Sequence, residues 1–310
     1  MFEHLYSRGE AYCDRLRRFT RPLCIVAHHD DEISIAGLLQ RLAAPCQIVW
    51  VTNSDGLYSE SDLQPEAYGR LRMQEGLYSA ERLGIPAADT RCLGWSEVEI
   101  YRRLSELHSG RSTVADVLPF FRTIREQVRE AVLEIRPDVV LTLAWQGGQP
   151  EHDLVHFFTD LALQELQAET GVAAEYLQVP AYEYTILLAQ RFHPLYRGTR
   201  MRIRLGETEL ACKLQMIEQY PSQVRLFGDF RKLFWVVGKL GRLIGGPRRI
   251  EDYLRTEEFG PVPAGLDYRR NTHWFEYFTY MFDHFEGVPV TFKRSIRPLV
   301  EALQPDPVNT

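Results

Sequence analysis

The sequence predicts an α/β protein: a mostly parallel β-sheet with helices on both faces, plus an aromatic, basic appendage at the C-terminal end. Three observations carry this. Short, continuously apolar runs alternate with longer segments of helical spacing, the pattern of strands buried on both faces and joined by helical crossovers. The 310 residues, 45% of them hydrophobic, suffice for one large core or for a domain with an appendage. The pattern loosens after about residue 174, and beyond about 226 the chain turns aromatic and basic, with Pro and Gly frequent near 245–265.

Taken in order, "LCIVAHH" (23–29) reads as a first buried strand, and "DDEISIAGLLQRLA" after it has helical spacing. "CQIVWVTNS" (46–54) is a second strand. "PEAYGRLRMQEGLYSAERLG" is a helix opened by Pro65 and closed by Gly84. "TRCLGW" (90–95) is a third strand. "STVADVLPFFRTIREQVREAVLEIR" is one long helix or two pieces meeting near Pro119. "RPDVVLTLAW" (136–145) is a fourth strand, and "HDLVHFFTDLALQELQAET" a further helix. "AEYLQVPAYEYTILL" supplies one or two more strands, and "ETELACKLQMIEQYPSQ" ends a helix near Tyr220. The expected division is a main domain over 1–225 with an extension over 226–310 packed on it.

The formal charge of −6 lacks the basic excess of a general nucleic-acid binder. No apolar run is long enough to span a bilayer, and "MFEHLYSRGEAYCDRLRRF" has no secretory apolar core. The five cysteines are scattered, without a CxxC pair; Cys24, Cys46 and Cys92 sit in strand-like runs and read as small buried hydrophobes, and a reducing cytoplasm is expected.

The chemistry concentrates in "CIVAHHDDEIS" (24–34). In an open parallel sheet, ligands bind beyond the carboxyl ends of the strands. His28 stands at such an end, and Asp31 follows three residues later across a strand-to-helix turn, so both can face one ion. Imidazole and carboxylate are ordinary zinc ligands. Asp30, between them, is placed to take a proton from a metal-activated water. The bland alternative, acids that merely favour a helix N-terminus, accounts for one carboxylate but not for two with two histidines. A third ligand is expected from "LTLAWQGGQPEHDLVH" (141–156), where a strand stops at Trp145 and a helix opens near Pro150 carrying His152. His28, Asp31 and His152 make three protein ligands and leave a position open, as catalytic zinc requires. The same donors also suit iron or cobalt. His156, one turn beyond His152, is a further ligand, a supporting group behind the ligands, or a packed histidine. His29 reads as pocket lining or structure.

These stretches resemble the LmbE-like, or PIG-L, zinc-dependent N-deacetylases. "AHHDDE" resembles the family's His-Pro-Asp-Asp-Glu signature, "RMQEGLYSAERLGI" its Arg-x-x-Glu helix, and "IRPDVVLT" its Arg-Pro-Asp-Val-Val strand. "VTNSDG" resembles the segment bordering substrate, "GGQPEHD" the Gly-His-Pro-Asp-His turn, and "YPSQ" the His-x-Ser-Gln. The matches run in order over about residues 20 to 225. The resemblance implies a Rossmann-like fold, a deacetylase domain over 1–225, and hydrolysis of an N-acyl amino sugar or glycoconjugate. It implies zinc on His28, Asp31 and His152, Asp30 as general base, and Arg72 in contact with substrate oxygens. Ser54 and Asp55 are further candidates to bind hydroxyls. The competing readings are a polar loop cap for those two and an ion pair with Glu75 for Arg72.

Two departures matter. His29 stands where the family has proline, and Gln149 where it has the histidine assigned to the oxyanion and the leaving amine. A glutamine amide donates a hydrogen bond to an oxyanion but supplies no proton, which leaves Asp30 or His156 to return one. Glu151 replaces the usual aspartate and is expected to orient a histidine. The alternatives are hydrolysis of another natural-product amide, or a non-catalytic sugar-binding relative. In the tail, "FRKLFWVVGKLGRLIGGPRR" (230–249) has the makings of a basic amphipathic helix for a membrane surface, against a packed helix or a subunit interface. "THWFEYFTYMFDHF" (272–285) is apolar nearly all round and reads as core or homo-oligomer contact.

Overall fold

Five consecutive buried residues, Pro22–Val26, form β1, and their side chains alternate between two separate cores. Leu23 and Ile25 face one, and Cys24 and Val26 the other. The same division holds for Val49 against Ile48 and Trp50 in β2 (Gln47–Thr52), and for Val140 against Val139 and Leu141 in β4 (Val139–Leu143). Strands apolar on both sides must be covered on both sides.

This computed structural model describes residues 3–183, 188–193, 196–225, 228, 253–270 and 279–304, with backbone alone for 182, 183, 188, 189, 279 and 281–284. The segment 230–249, and 271–278 in the apolar stretch after it, lie outside the described residues. Among the described residues no helix is long and apolar enough to cross a membrane.

Among the described residues the sheet has seven strands. β3 (Thr90–Trp95), β2, β1, β4 and β5 (Glu175–Val179) lie side by side in that order, all parallel. A two-residue pair, β6 (Tyr182–Glu183) and β7 (Leu188–Ala189), stands apart from it. β8 (Met201–Arg204) and β9 (Thr256–Pro261) extend the sheet antiparallel, with β9 between β5 and β8. The region after residue 226 therefore supplies an interior strand. Glu257 of β9 is buried and accepts Gly37 N–H at 2.7 Å, Leu38 N–H at 3.2 Å and the Lys213 ammonium at 2.7 Å. A hairpin of β10 (Thr279–Phe285) and β11 (Val288–Thr291) sends Val290 into the first core.

Helices cover both faces. The core holding Ile25 is closed by α4 (Glu97–Ser109), α5 (Val114–Ile135), α6 (Pro150–Thr170) and α8 (Arg297–Leu303). The core holding Cys24 is closed by α1 (Glu3–Leu16), α2 (Ala36–Leu39), α3 (Pro65–Arg82) and α7 (Glu207–Glu218). α5 is a single helix: Thr113 and Asp116 close a capping box, and Pro119 sits in its second turn without ending it. α1 carries no strong terminal signal in the sequence; α4 is opened by Ser96, whose hydroxyl accepts Glu99 N–H, and closed by Gly110 at φ 73°. In the 3-2-1-4-5 order, β1 connects outward to β2 while β4 lies on its other side. Their carboxyl ends thus flank the topological switch point where open α/β sheets bind ligands.

Candidate metal centre

His28 lies two residues past β1, and His152 sits in the first turn of α6 after β4, so the switch point brings them together. His28 Nδ1 is 3.0 Å from His152 Nε2 and 3.5 Å from Asp31 Oδ2, and His152 Nε2 is 3.1 Å from Asp31 Oδ1. All three residues are buried. Ligands bonded to one ion at about 2.1 Å with tetrahedral angles stand about 3.4 Å apart. Two imidazole nitrogens converging on one carboxylate at such distances fit a shared divalent cation. Burial works against protonation of His28, but the carboxylates of Glu97, Asp31 and Glu151 outweigh it and push its pKa up to about 10. Burial would likewise raise Asp31, yet His152 and His28 hold it well below the usual carboxylate range. His152 goes the other way: burial lowers its pKa against the pull of Asp31.

Asp30 is held in a backbone conformation with φ 111°, a region side chains rarely adopt. Arg72 holds its carboxylate: Nη2 donates to Asp30 Oδ2 at 2.8 Å and to the His29 carbonyl, while Nη1 donates to Glu75 Oε2 at 3.1 Å. Glu75 in turn accepts Ser222 N–H at 2.9 Å and the Ser222 hydroxyl at 2.6 Å, which docks the "YPSQ" turn on α3. The buried face of α3 is consequently polar, with Arg72, Glu75 and Ser79. Burial pushes the Asp30 carboxyl up to about 7, against the pull of Arg72.

Glu32, the last acid of "HHDDE", is fully buried and saturated. Its oxygens accept the Ser79 and Tyr220 hydroxyls, both at 2.6 Å, Asp30 N–H at 3.0 Å and Trp50 Nε1–H at 3.2 Å. His29 stacks on Trp50 with ring centroids 4.7 Å apart, and its ring fills the space beside Gly76, where a Cβ would come within 2.5 Å. Ser54, at φ 59°, accepts His29 N–H at 2.9 Å. Asp55 turns away from the cavity and anchors α4, accepting the Ser96 hydroxyl at 2.7 Å and Val98 N–H at 3.1 Å.

Around the second turn, Asp153 accepts Gln146 and Gly147 N–H at 3.1 Å and the Tyr280 hydroxyl at 3.0 Å. This fixes the loop that presents Gln149, the residue capping α6, whose side-chain carbonyl is buried without a hydrogen-bond partner. Both Glu151 oxygens are buried with only the Tyr101 hydroxyl near them and no well-aligned hydrogen bond, and burial with the nearby Glu97 charge pushes its pKa well above the usual range.

A cavity of about 200 Å³ opens over these groups. Of the residues picked out from the sequence, it is lined by His28, Asp30, Asp31, Ser54, Arg72 and Gln149. Leu57, Tyr58, Val98, Tyr101 and Phe285 form an apolar side, and Glu97 and Gln223 complete the wall. His156 is elsewhere: Nδ1 is 2.9 Å from the Leu143 carbonyl, and its ring packs against Tyr176 and Tyr268. Burial alone lowers its pKa to about 4. Glu97 and Tyr101 are not visible as site residues in the sequence, because neither stands in a ligand-like spacing. Glu32 was visible in the acid run, but its hydroxyl partners on α3 and at Tyr220 were not.

Residues 23–163 match the family model described as PIG-L, GlcNAc-PI de-N-acetylase. No curated protein matches the chain. Among solved structures, a deacetylase–bog complex from the teicoplanin biosynthesis pathway shares 20% identity, with a TM-score of 0.56 over 78% of this chain and 97% of that one. The A40926 pseudoaglycone deacetylase Dbv21 shares 21% identity, with a TM-score of 0.54 over 80% of this chain and 99% of that one. N,N'-diacetylchitobiose deacetylase from Pyrococcus horikoshii, in complex with its inhibitor MPG, shares 16% identity, with a TM-score of 0.50 over 82% and 92%. At these identities the likeness is one of fold.

Proposed function

From the premise that residues 23–163 belong to the PIG-L family, we propose that the chain is a metal-dependent N-deacetylase of an N-acyl amino sugar or a glycoconjugate bearing one. The observation that carries the proposal is the convergence of His28 Nδ1, His152 Nε2 and both Asp31 oxygens, with Asp30 beside them on the cavity wall. His28, Asp31 and His152 would hold the ion, zinc before other divalent metals. Bound there, a divalent cation polarises the acyl carbonyl and acidifies a water.

Asp30 takes the water's proton as attack proceeds. Its pKa near 7 suits a group that accepts a proton at neutral pH and gives it back. Arg72 fixes the carboxylate through the 2.8 Å bond and so acts through Asp30. Gln149 is the candidate donor to the developing oxyanion. It has no proton to transfer, and His156 lies against Tyr176 and Tyr268, so the return of a proton to the leaving amine falls to Asp30. Ser54 lines the cavity, while Asp55 contributes by seating α4.

The test is amine release from a panel of N-acetylated amino sugars and glycoconjugates, with Gln149→Ala beside the wild type. Turnover that falls about 10²–10³-fold in Gln149→Ala supports the oxyanion role. Absence of turnover on every substrate, with metal bound, favours a sugar-binding relative, the reading that Gln149 itself motivates.

A further inference from the structure

His28 has two ring nitrogens, and only one of them faces Asp31 and His152. The other, Nε2, is buried without a hydrogen-bond partner and lies 3.8 Å from Glu97 Oε1. A neutral imidazole offers a lone pair on one nitrogen only when the other carries the proton, and a buried N–H needs an acceptor. Glu97 is built into place. Its Oε2 accepts Gly56 N–H at 3.1 Å, and it opens α4 directly after Ser96, whose hydroxyl caps the helix by accepting Glu99 N–H. Asp55 bolts that first turn to the loop after β2. Gly56 is shaped to the carboxylate, since a Cβ there would come within 2.3 Å of it. Glu151 also comes within ligand distance of His28 and Glu97, but neither of its oxygens is anchored.

We propose that Glu97 is a positioning residue of the metal centre: at 3.8 Å its carboxylate faces His28 Nε2 as a counter-charge, outside direct hydrogen-bond range, and by favouring the proton on that nitrogen it commits Nδ1 to the ion. This rests on the metal-centre reading above. A carboxylate behind a ligating histidine fixes both its tautomer and its orientation, and losing one typically weakens metal binding 10–100-fold.

The test is titration of Zn2+ into metal-free full-length protein against a chromophoric chelator, with the visible spectrum of the Co2+ form as a second readout. Glu97→Gln is expected to bind one ion per chain, 10–100-fold more weakly, with a shifted Co2+ spectrum and metal-free unfolding close to wild type. Gly56→Ala keeps Glu97 but crowds its carboxylate, so it should shift affinity the same way, and it carries the test if Glu97→Gln fails to fold. Wild-type affinity and spectrum in Glu97→Gln overturn the proposal. So do two ions in the wild type and one in Glu97→Gln, which would make Glu97 a ligand of a second cation. A wild type that binds no ion sinks the metal centre itself, a separate failure.

Discussion

The turns after β1 and β4 both deliver a metal-type histidine to the same crevice, yet they hold their glutamates in opposite ways. Glu32, just after Asp31, accepts four hydrogen bonds from three elements and a backbone amide. Glu151, just before His152, is equally buried but has only the Tyr101 hydroxyl beside it, without a well-aligned hydrogen bond. Residue type and depth are the same; the partners differ. A saturated carboxylate works as a structural tie, here joining β2, α3 and Tyr220 under the site. An unsatisfied one is an unpaid desolvation cost, which evolution tolerates where charge faces a reacting centre.

Substitutions can sharpen or break this contrast. The largest effect should come at Asp30, which has the site's exposure and Arg72 behind it: Asp30→Asn should lower kcat about 10²–10⁴-fold while metal content stays at the wild-type level. Activity within a few-fold of wild type would remove it as the base. Next, Glu32→Gln should cost about 3 kcal/mol of stability in metal-free denaturant unfolding, because an amide NH2 would face donors it cannot accept from. A comparable loss should appear on acidification, through His156. Its pKa is lowered to about 4 in the fold, so the unfolded chain takes up the proton first, and stability is lost as pH falls from 6.5 to 4. At about 1.4 kcal/mol per pH unit this amounts to about 3 kcal/mol, and His156→Phe should flatten that part of the profile. Smallest of all, Glu151→Gln should leave metal-free stability within about 1 kcal/mol of wild type, or raise it, since it removes an unpartnered carboxyl. A loss as large as that of Glu32→Gln would erase the distinction between the two turns.

The sheet was legible because its parallel strands are apolar on both faces, and continuous runs such as "CIV" and "VVLTL" declare that directly. The ligand set was legible for a related reason: the strand-to-helix turns sit at strand ends, and strand ends in this architecture meet at one crevice. What stayed hidden depends on contacts between segments far apart in the chain. Arg72 reads as a substrate contact or a partner of Glu75; the Glu75 pair is present, and only the fold adds Asp30, 42 residues away. Glu97 follows the helix cap Ser96 and has no visible partner in the sequence until β1 and β2 bring His28 and Gly56 to it. The interior position of β9 could not be read from "TEEFGP", whose glutamates look solvated until Lys213 and the α2 amides cover one of them.

Metal content tests the central claim most directly: elemental analysis of wild-type protein and His152→Ala, each supplied with zinc and freed of excess. The account predicts about one divalent ion per wild-type chain and none in the variant, with both chains folded. A wild type that binds no ion, or a variant that keeps it, would contradict the three-residue centre at the switch point.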